Sequence, residues 1–324
     1  MNNVPNFIGG DDLENLLMSF RVVFPLFLML SLGYGIRRAN IVDDYILDGC
    51  SNLVFKVFLP VMLFLSVCGT SLEKALDVRL LIFATVGIVL FFILTMLVIP
   101  LIEKSDAKRG VMVQGIFRSN FVLFGFPVTV SLCGPENTDT VLMLIAVIVP
   151  VFNVLSVIAL EIFRGGKINV GQIFTGIFKN PLIIAGVLGI LVLLSGFKMP
   201  DILQKPLDDI GRTATPLALI AIGGTFKFST LAGSAKQLII SVAGKLVVGP
   251  AIIIAAGIAF GFRGVSLAAL MVLVCSPTAV SSFPMAKKMG ADGALAGQIV
   301  VFTSLFSVVT IFFWIFLLAQ LGLF

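Results

Sequence analysis

Stretches of roughly 20 apolar residues recur along this chain, each the length of an α-helix that crosses a bilayer's hydrocarbon core at 1.5 Å rise per residue. Inside such a slab the backbone has no water to bond, so continuous runs of this length are confined to helices, which satisfy their own N–H and C=O groups. The runs cover residues 16–36, 46–68, 80–102, 111–133, 140–163, 175–197, 208–226, 237–260, 265–286 and 294–321. Of 324 residues 59% are hydrophobic and 12% charged, about half the charged share of an ordinary soluble domain. The expected class is an all-α integral membrane protein of ten transmembrane helices. The seventh run is the weakest, because Asp208, Asp209 and Arg212 crowd its start and Gly223 and Gly224 its end. That predicts a short or partly re-entrant helix.

The net charge of +5 would suggest a nucleic-acid partner in a soluble protein. Here the Lys and Arg residues fall in the short loops between apolar runs, where they report topology, and no nucleic acid is expected. Odd-numbered loops hold twelve of them, among them Arg37, Arg38, Lys104, Arg109, Lys287 and Lys288. Even-numbered loops hold six: Lys74, Arg79, Lys198, Lys205, Arg212 and Arg263. The bias predicts cytoplasmic odd loops, both termini extracytoplasmic, and residence in the inner (plasma) membrane. Asp11, Asp12 and Glu14 stand where a secretory signal would be basic, so the first run is read as a retained span.

Several chemistries are disfavoured by what is missing. Histidine is absent, which removes the usual catalytic base, the HExxH metalloprotease pattern and a histidine proton relay. Cys50, Cys68, Cys133 and Cys275 lie in or beside apolar runs without CxxC spacing and predict neither disulfides nor a metal site. No phosphate-binding GxxxxGK[ST] run is present, and no paired membrane aspartates suggest an intramembrane enzyme. The chain reads as a non-enzymatic secondary transporter driven by gradients. No cofactor is expected, and coupling to Na+ or H+ is left open.

The chain also resembles itself at about half its length. Ser119, six residues and Phe126-Pro127 in the fourth run match Ser276, six residues and Phe283-Pro284 in the ninth. Arg109-Gly110-Val111 matches Arg263-Gly264-Val265, Val151-Phe152-Asn153-Val154-Leu155 matches Val301-Phe302-Thr303-Ser304-Leu305, and Pro60 matches Pro216. The shared offset and order predict a duplication of five spans, residues 1–165 and 166–324. Because five crossings are odd in number, the second copy enters from the opposite side. Inverted repeats around interrupted helices place a solute near mid-membrane at the repeat interface.

The matched fourth and ninth runs carry the polar and helix-breaking residues. Gly125 and Pro127 in one, and Pro277 and Pro284 in the other, are the expected breaks, since proline removes a backbone donor and clashes with the preceding turn. The candidate solute-binding set is Arg118, Ser119, Asn120, Phe121, Ser276, Pro277, Thr278, Ala279 and Ser282, with Asn52 and Lys56 of the second run as secondary candidates. Arg118 falls inside an apolar segment, where an unpaired charge costs several kcal/mol and a solute carboxylate would be a fitting partner. No Asp or Glu lies between residues 110 and 134 or between 265 and 290, so the site reads as neutral to positive and suited to a small organic anion. Lys245 is read as a snorkelling or structural charge.

Asn120-Phe121-Val122-Leu123-Phe124-Gly125-Phe126-Pro127 resembles the N-x-x-x-x-G-x-P motif of the auxin efflux carrier family, the bacterial relatives of the plant PIN transporters. Ser51 through Pro60, Asn180-Pro181-Leu182-Ile183, Ala214 through Leu219 and Pro277 through Lys287 are similar to further signatures of that family, in order over nearly the whole chain. The resemblance implies two inverted five-helix repeats, a scaffold and a transport domain drawn from both, and a site where helices four and nine cross. It also implies carboxylate solutes, a homodimer in the lipid bilayer and elevator-like motion. Two departures stand out: Ser119 occupies the place where plant members commonly carry proline, and the long cytoplasmic loop of many plant members is missing. A sodium-coupled organic anion symporter of the bile-acid-transporter type is the alternative, with Ser119, Thr278 or Ser282 as sodium ligands.

Overall fold

The computed structural model describes residues 11–68, 77–122, 124, 128–129, 132, 138–164, 179–197, 199–226 and 232–323; Gly125, Pro127 and Cys133 lie outside them. Every regular element among the described residues is helical. Helices α1 (Asp11–Arg38), α2 (Asp44–Leu53), α3 (Leu59–Cys68), α4 (Val78–Ile102), α5 (Asp106–Phe117) and α6 (Thr138–Ile162) come from the first half. Helices α7 (Pro181–Ser195), α8 (Asp201–Thr225), α9 (Ala235–Ala243), α10 (Gly249–Ala259), α11 (Gly264–Cys275), α12 (Ser282–Lys288) and α13 (Gly293–Gln320) follow. One π-helical turn, Val54–Phe58, joins α2 to α3 and another, Gly244–Val248, joins α9 to α10, so each pair runs on as one long helix. Among the described residues five helices are long and apolar enough to cross a membrane, and Pro181–Ser195 and Gly264–Cys275 are shorter apolar ones. The protein is therefore a multi-pass membrane protein.

The helices sort into two groups. α1, α2, α3, α7 and α8 pack on one another, and α4, α5, α6 and α9 to α13 form the second body. Along the seam α1 meets α13, α3 and α7 meet α6, and α2 and α8 meet α12. Within the first group α1 and α8 approach backbone to backbone: a Cβ on Gly33 would lie 2.1 Å from Ile220 O, and one on Gly223 would lie 2.0 Å from Leu30 O. These contacts correct the expectation for the seventh run. α8 is one continuous helix of 25 residues, and its glycines serve close helix packing of the kind small residues permit in bilayers.

Contacts between loops of the two halves gather at one end of the molecule. Glu103 accepts from Gln237 Nε2 (2.6 Å), Asp292 N donates to Ala107 O (3.0 Å), and Asp48 pairs with Lys288 (2.8 Å), which brings connections one, three, seven and nine to one end. At Glu103 burial works to raise the carboxyl pKa, but bonds from Gln237 and from the N–H groups of Ser105 and Lys104 outweigh it and hold the group below its usual range. At the opposite end Arg79 bonds Phe260 O and lies over the Phe262 ring, Ser266 donates to Asp77 (3.1 Å), and Gly264 N meets Leu323 O.

The close approach of α1 and α8 yields a paired test. Gly33→Ala drives a Cβ into a carbonyl and should destabilise the protein by about 1–3 kcal/mol. Gly35→Ala, whose Cβ would meet nothing within 4 Å, should be neutral or slightly stabilising. Melting temperatures of the two detergent-purified variants compare them directly, and equal melting would refute the packing.

Candidate functional site

α5 stops at Phe117, Arg118 is extended and Ser119 is non-helical before Asn120 starts a new turn through Asn120 O to Phe124 N. Three aromatics fix where it stops, with the Phe117 ring edge-on to Phe92 of α4 at 5.0 Å and tilted to Phe152 of α6 at 6.0 Å. α11 stops at Cys275, and residues 276–281 are non-helical until α12 begins. The two breaks meet: Asn120 N donates to Pro277 O at 2.7 Å, and Thr278 Oγ1 donates to Gly115 O at 2.7 Å. Each thus supplies the other with a partner that its own lost helical turn no longer provides.

The expected break at Pro284 is corrected. It is the third residue of α12 and stays in the helix, because a first-turn residue has no intrahelical acceptor for its N–H and proline loses nothing there. Pro277 does lie in the interruption.

Between the breaks and the first helix group sits a cavity of about 70 Å³. Arg118, Ser119, Asn120, Phe121 and Ala279 of the candidate set line it. Ser276, Pro277, Thr278 and Ser282 stand behind it: Ser276 Oγ bonds Val272 O, Thr278 N bonds Thr303 Oγ1, and the buried Ser282 hydroxyl has no hydrogen-bond partner among the described residues. Asn52 and Lys56 do not reach it, and Lys56 is exposed on its π-helical turn. Lining residues that sequence reasoning passed over are Asn153 and Val149 of α6, Ser281, Thr215 of α8, Leu182 of α7, and Leu59, Met62 and Leu63 of α3. The Asn180 side chain caps α7 by accepting from Leu182 N, with Pro181 in the first turn, and so places Leu182.

Two cations are enclosed here. Arg118 is 4% exposed, and its guanidinium donates to Asn153 Oδ1 (2.7 Å), Ser281 Oγ (2.6 Å) and Met285 Sδ (2.6 Å). Asn153 Nδ2 is tied to Val149 O at 2.9 Å, which turns its oxygen toward the arginine. Lys245 is 2% exposed, bonding Ser119 Oγ and, at 3.2 Å, Val274 O. It therefore lies beside the C-terminal ends of α5 and α11, where the helix dipoles leave partial negative charge. Of the two readings of Lys245, snorkelling or structural, the structure favours the structural one, since the buried side chain bonds Ser119 and Val274 O, while Trp314 Nε1 occupies the Leu246 carbonyl of its π-helical turn at 3.1 Å. Neither cation has a carboxylate partner among the described residues.

The Asn120 side chain completes the picture. Its Nδ2 is buried with no hydrogen-bond partner among the described residues, and Asn120 lines the cavity beside Arg118. Arg118 with a spare donor at the cavity wall, and Lys245 behind Ser119, are suited to an acceptor-only group such as a carboxylate.

A profile of the family described as "Membrane transport protein" matches residues 18–175 and 171–315. An uncharacterized transporter of Methanocaldococcus jannaschii is 22% identical over 306 residues, 90% of this chain and 96% of that protein. Auxin efflux carrier component 3a of Oryza sativa subsp. japonica is 26% identical over 153 residues, 45% of this chain and 25% of that protein.

The enclosed arginine yields a test with opposite effects on stability and binding. Asn153→Asp places a carboxylate where Arg118 now meets a neutral oxygen. It should raise the melting temperature and abolish anion uptake, since the positive field is then spent internally. Unchanged uptake would show that Arg118 is not electrostatically available to solute.

Proposed function

We propose that this chain, which belongs to the membrane transport protein family of the auxin efflux carriers, is a secondary active carrier of a small organic anion whose carboxylate is held between Asn120 and Arg118. The observation that carries this reading is the pair of buried cations whose partners among the described residues are all neutral, beside an Asn120 Nδ2 that has no hydrogen-bond partner among those residues. A buried charge without a counter-charge destabilises a structure unless something binds it, and an anionic solute would relieve that cost in the loaded state.

The wider architecture belongs to the same proposal: ten spans in two inverted five-helix repeats, residues 1–165 and 166–324, with helices four and nine crossing at their breaks. It is supported by a parallel between the halves. Asn153 holds Arg118 beside the first break, and Thr303, its match in the repeat, accepts from Thr278 N in the second. The first helix group is the scaffold and the second moves against it. A cavity of 70 Å³ is only about two water volumes, enough for a carboxylate head, so a larger solute requires the groups to part along the seam. We assign an elevator-like motion, a homodimer, the inner membrane and extracytoplasmic termini on the family likeness and the loop charges.

Sodium coupling through the breaks finds less support. The Ser119 hydroxyl already accepts from an ammonium group, and the Thr278 hydroxyl donates to Gly115 O. A sodium ion at Ser119 would face Lys245 at close range, and the like charges repel.

Flux of radiolabelled mono- and dicarboxylates into proteoliposomes tests the proposal. Asn120→Ala should weaken apparent affinity by about ten- to a hundredfold, the loss of one charge-assisted bond, whereas Lys56→Ala should change it little. Arg118→Lys should retain part of the activity and Arg118→Gln very little. Normal flux in both arginine variants would make a neutral solute the better reading, and dependence on external sodium would restore the symporter.

A further inference from the structure

We propose a second anion-binding position, a vestibule at the odd-loop end of the seam in which Lys287 receives the solute carboxylate before it reaches the buried cavity. The inference rests on the carrier reading above. A cavity of about 230 Å³ lies between the end of α8, Phe283 and Lys287 of α12, and the start of α13. Thr215 lines the central cavity and Ile222 the vestibule; seven residues of α-helix, about 10 Å, separate them along α8. α12 divides the two spaces, with Ser281, just before its first residue, facing the inner one and the Phe283 ring the outer.

The donors in the vestibule suit an anion. Lys287 is its one cation among the lining residues, with Nζ 5.7 Å from the centre of the Phe283 ring. At the start of α13, Asp292 takes the N–H groups of Leu295 and Ala296, leaving those of Gly293 and Ala294 without an acceptor among the described residues. Both residues line the same cavity. A Cβ on Gly293 would lie 3.2 Å from Lys287 Cβ, so the glycine lets the lysine stem cross close over the helix start.

The structure also shows a carboxylate at this place. Asp48 of α2, in the other helix group, lies 3.5 Å from Lys287 Nζ and 2.8 Å from Lys288 Nζ. A solute carboxylate that takes over Lys287 competes with Asp48 and loosens a link between the groups whose separation the central cavity requires. Capture and opening are then one exchange of ion-pair partners, with Asp48 left on Lys288.

Uptake of radiolabelled succinate, benzoate and indole-3-acetate, measured separately from each face of oriented proteoliposomes, tests this. Lys287→Gln should raise KM from the odd-loop face by roughly three- to tenfold, leave KM from the other face nearly unchanged while lowering the maximal rate from that face in the same proportion, since no variant alters the transport equilibrium constant, and be rescued by Lys287→Arg. Asp48→Asn should act in the opposite direction and lower KM from the odd-loop face. Melting temperatures within a few degrees of the wild type establish that the variants are folded. Equal effects on KM from both faces, no effect, or a raised KM in Asp48→Asn overturns the vestibule while leaving the central site standing. If the wild type transports none of the three anions, the carrier reading falls and the vestibule with it.

Discussion

A backbone N–H freed inside a bilayer has to find an acceptor, and in this chain one broken helix finds it in the other. The bond from Asn120 N to Pro277 O is the point on which the remaining geometry turns. With α5 and α11 both ending near mid-protein, two sets of C-terminal carbonyls come together, and the inward Lys245 stands at them. Arg118 and the Asn120 amide are then left on the side of the breaks that faces the first helix group. A continuous helix at either place would carry these side chains round its own axis and leave no cavity between them.

Much of this was legible in the residues because bilayer physics is severe. Only apolar stretches long enough to span could be helices, and only the fourth and ninth combined such stretches with Ser and Phe-Pro at matched spacing. The absence of Asp and Glu from both gave the sign of the site before any geometry. Phe121 and Ala279 of the candidate set line the cavity.

What was hidden depended on small rotations and on partners distant in sequence. Lys56 and Lys245 look alike in their apolar segments, and both sit on π-helical turns. One is exposed and the other enclosed: Lys56 is the third residue of its turn and Lys245 the second of its own, so the two project from different faces of their helices. Pro284 resembles a breaker until the helix start is known to lie two residues before it. The glycines at 223 and 224 resemble an ending until α1 is seen pressed against the first of them. Asn153 had a signal that could have been used, namely its match to Thr303 in the repeat, which points to a supporting role beside each break.

The account of a carrier rests on three linked features: two interruptions that satisfy each other, a fixed lysine at the carbonyl ends, and an arginine without a counter-charge among the described residues. Its central claim is that the missing counter-charge is the solute. A structure determined by cryo-electron microscopy with a transported carboxylate bound measures this most directly. The account predicts the carboxylate oxygens within hydrogen-bond reach, about 3 Å, of Asn120 Nδ2 and the Arg118 guanidinium. A carboxylate bound away from both breaks, or a cation held by the oxygens of Ser119 and Asn120, would contradict it.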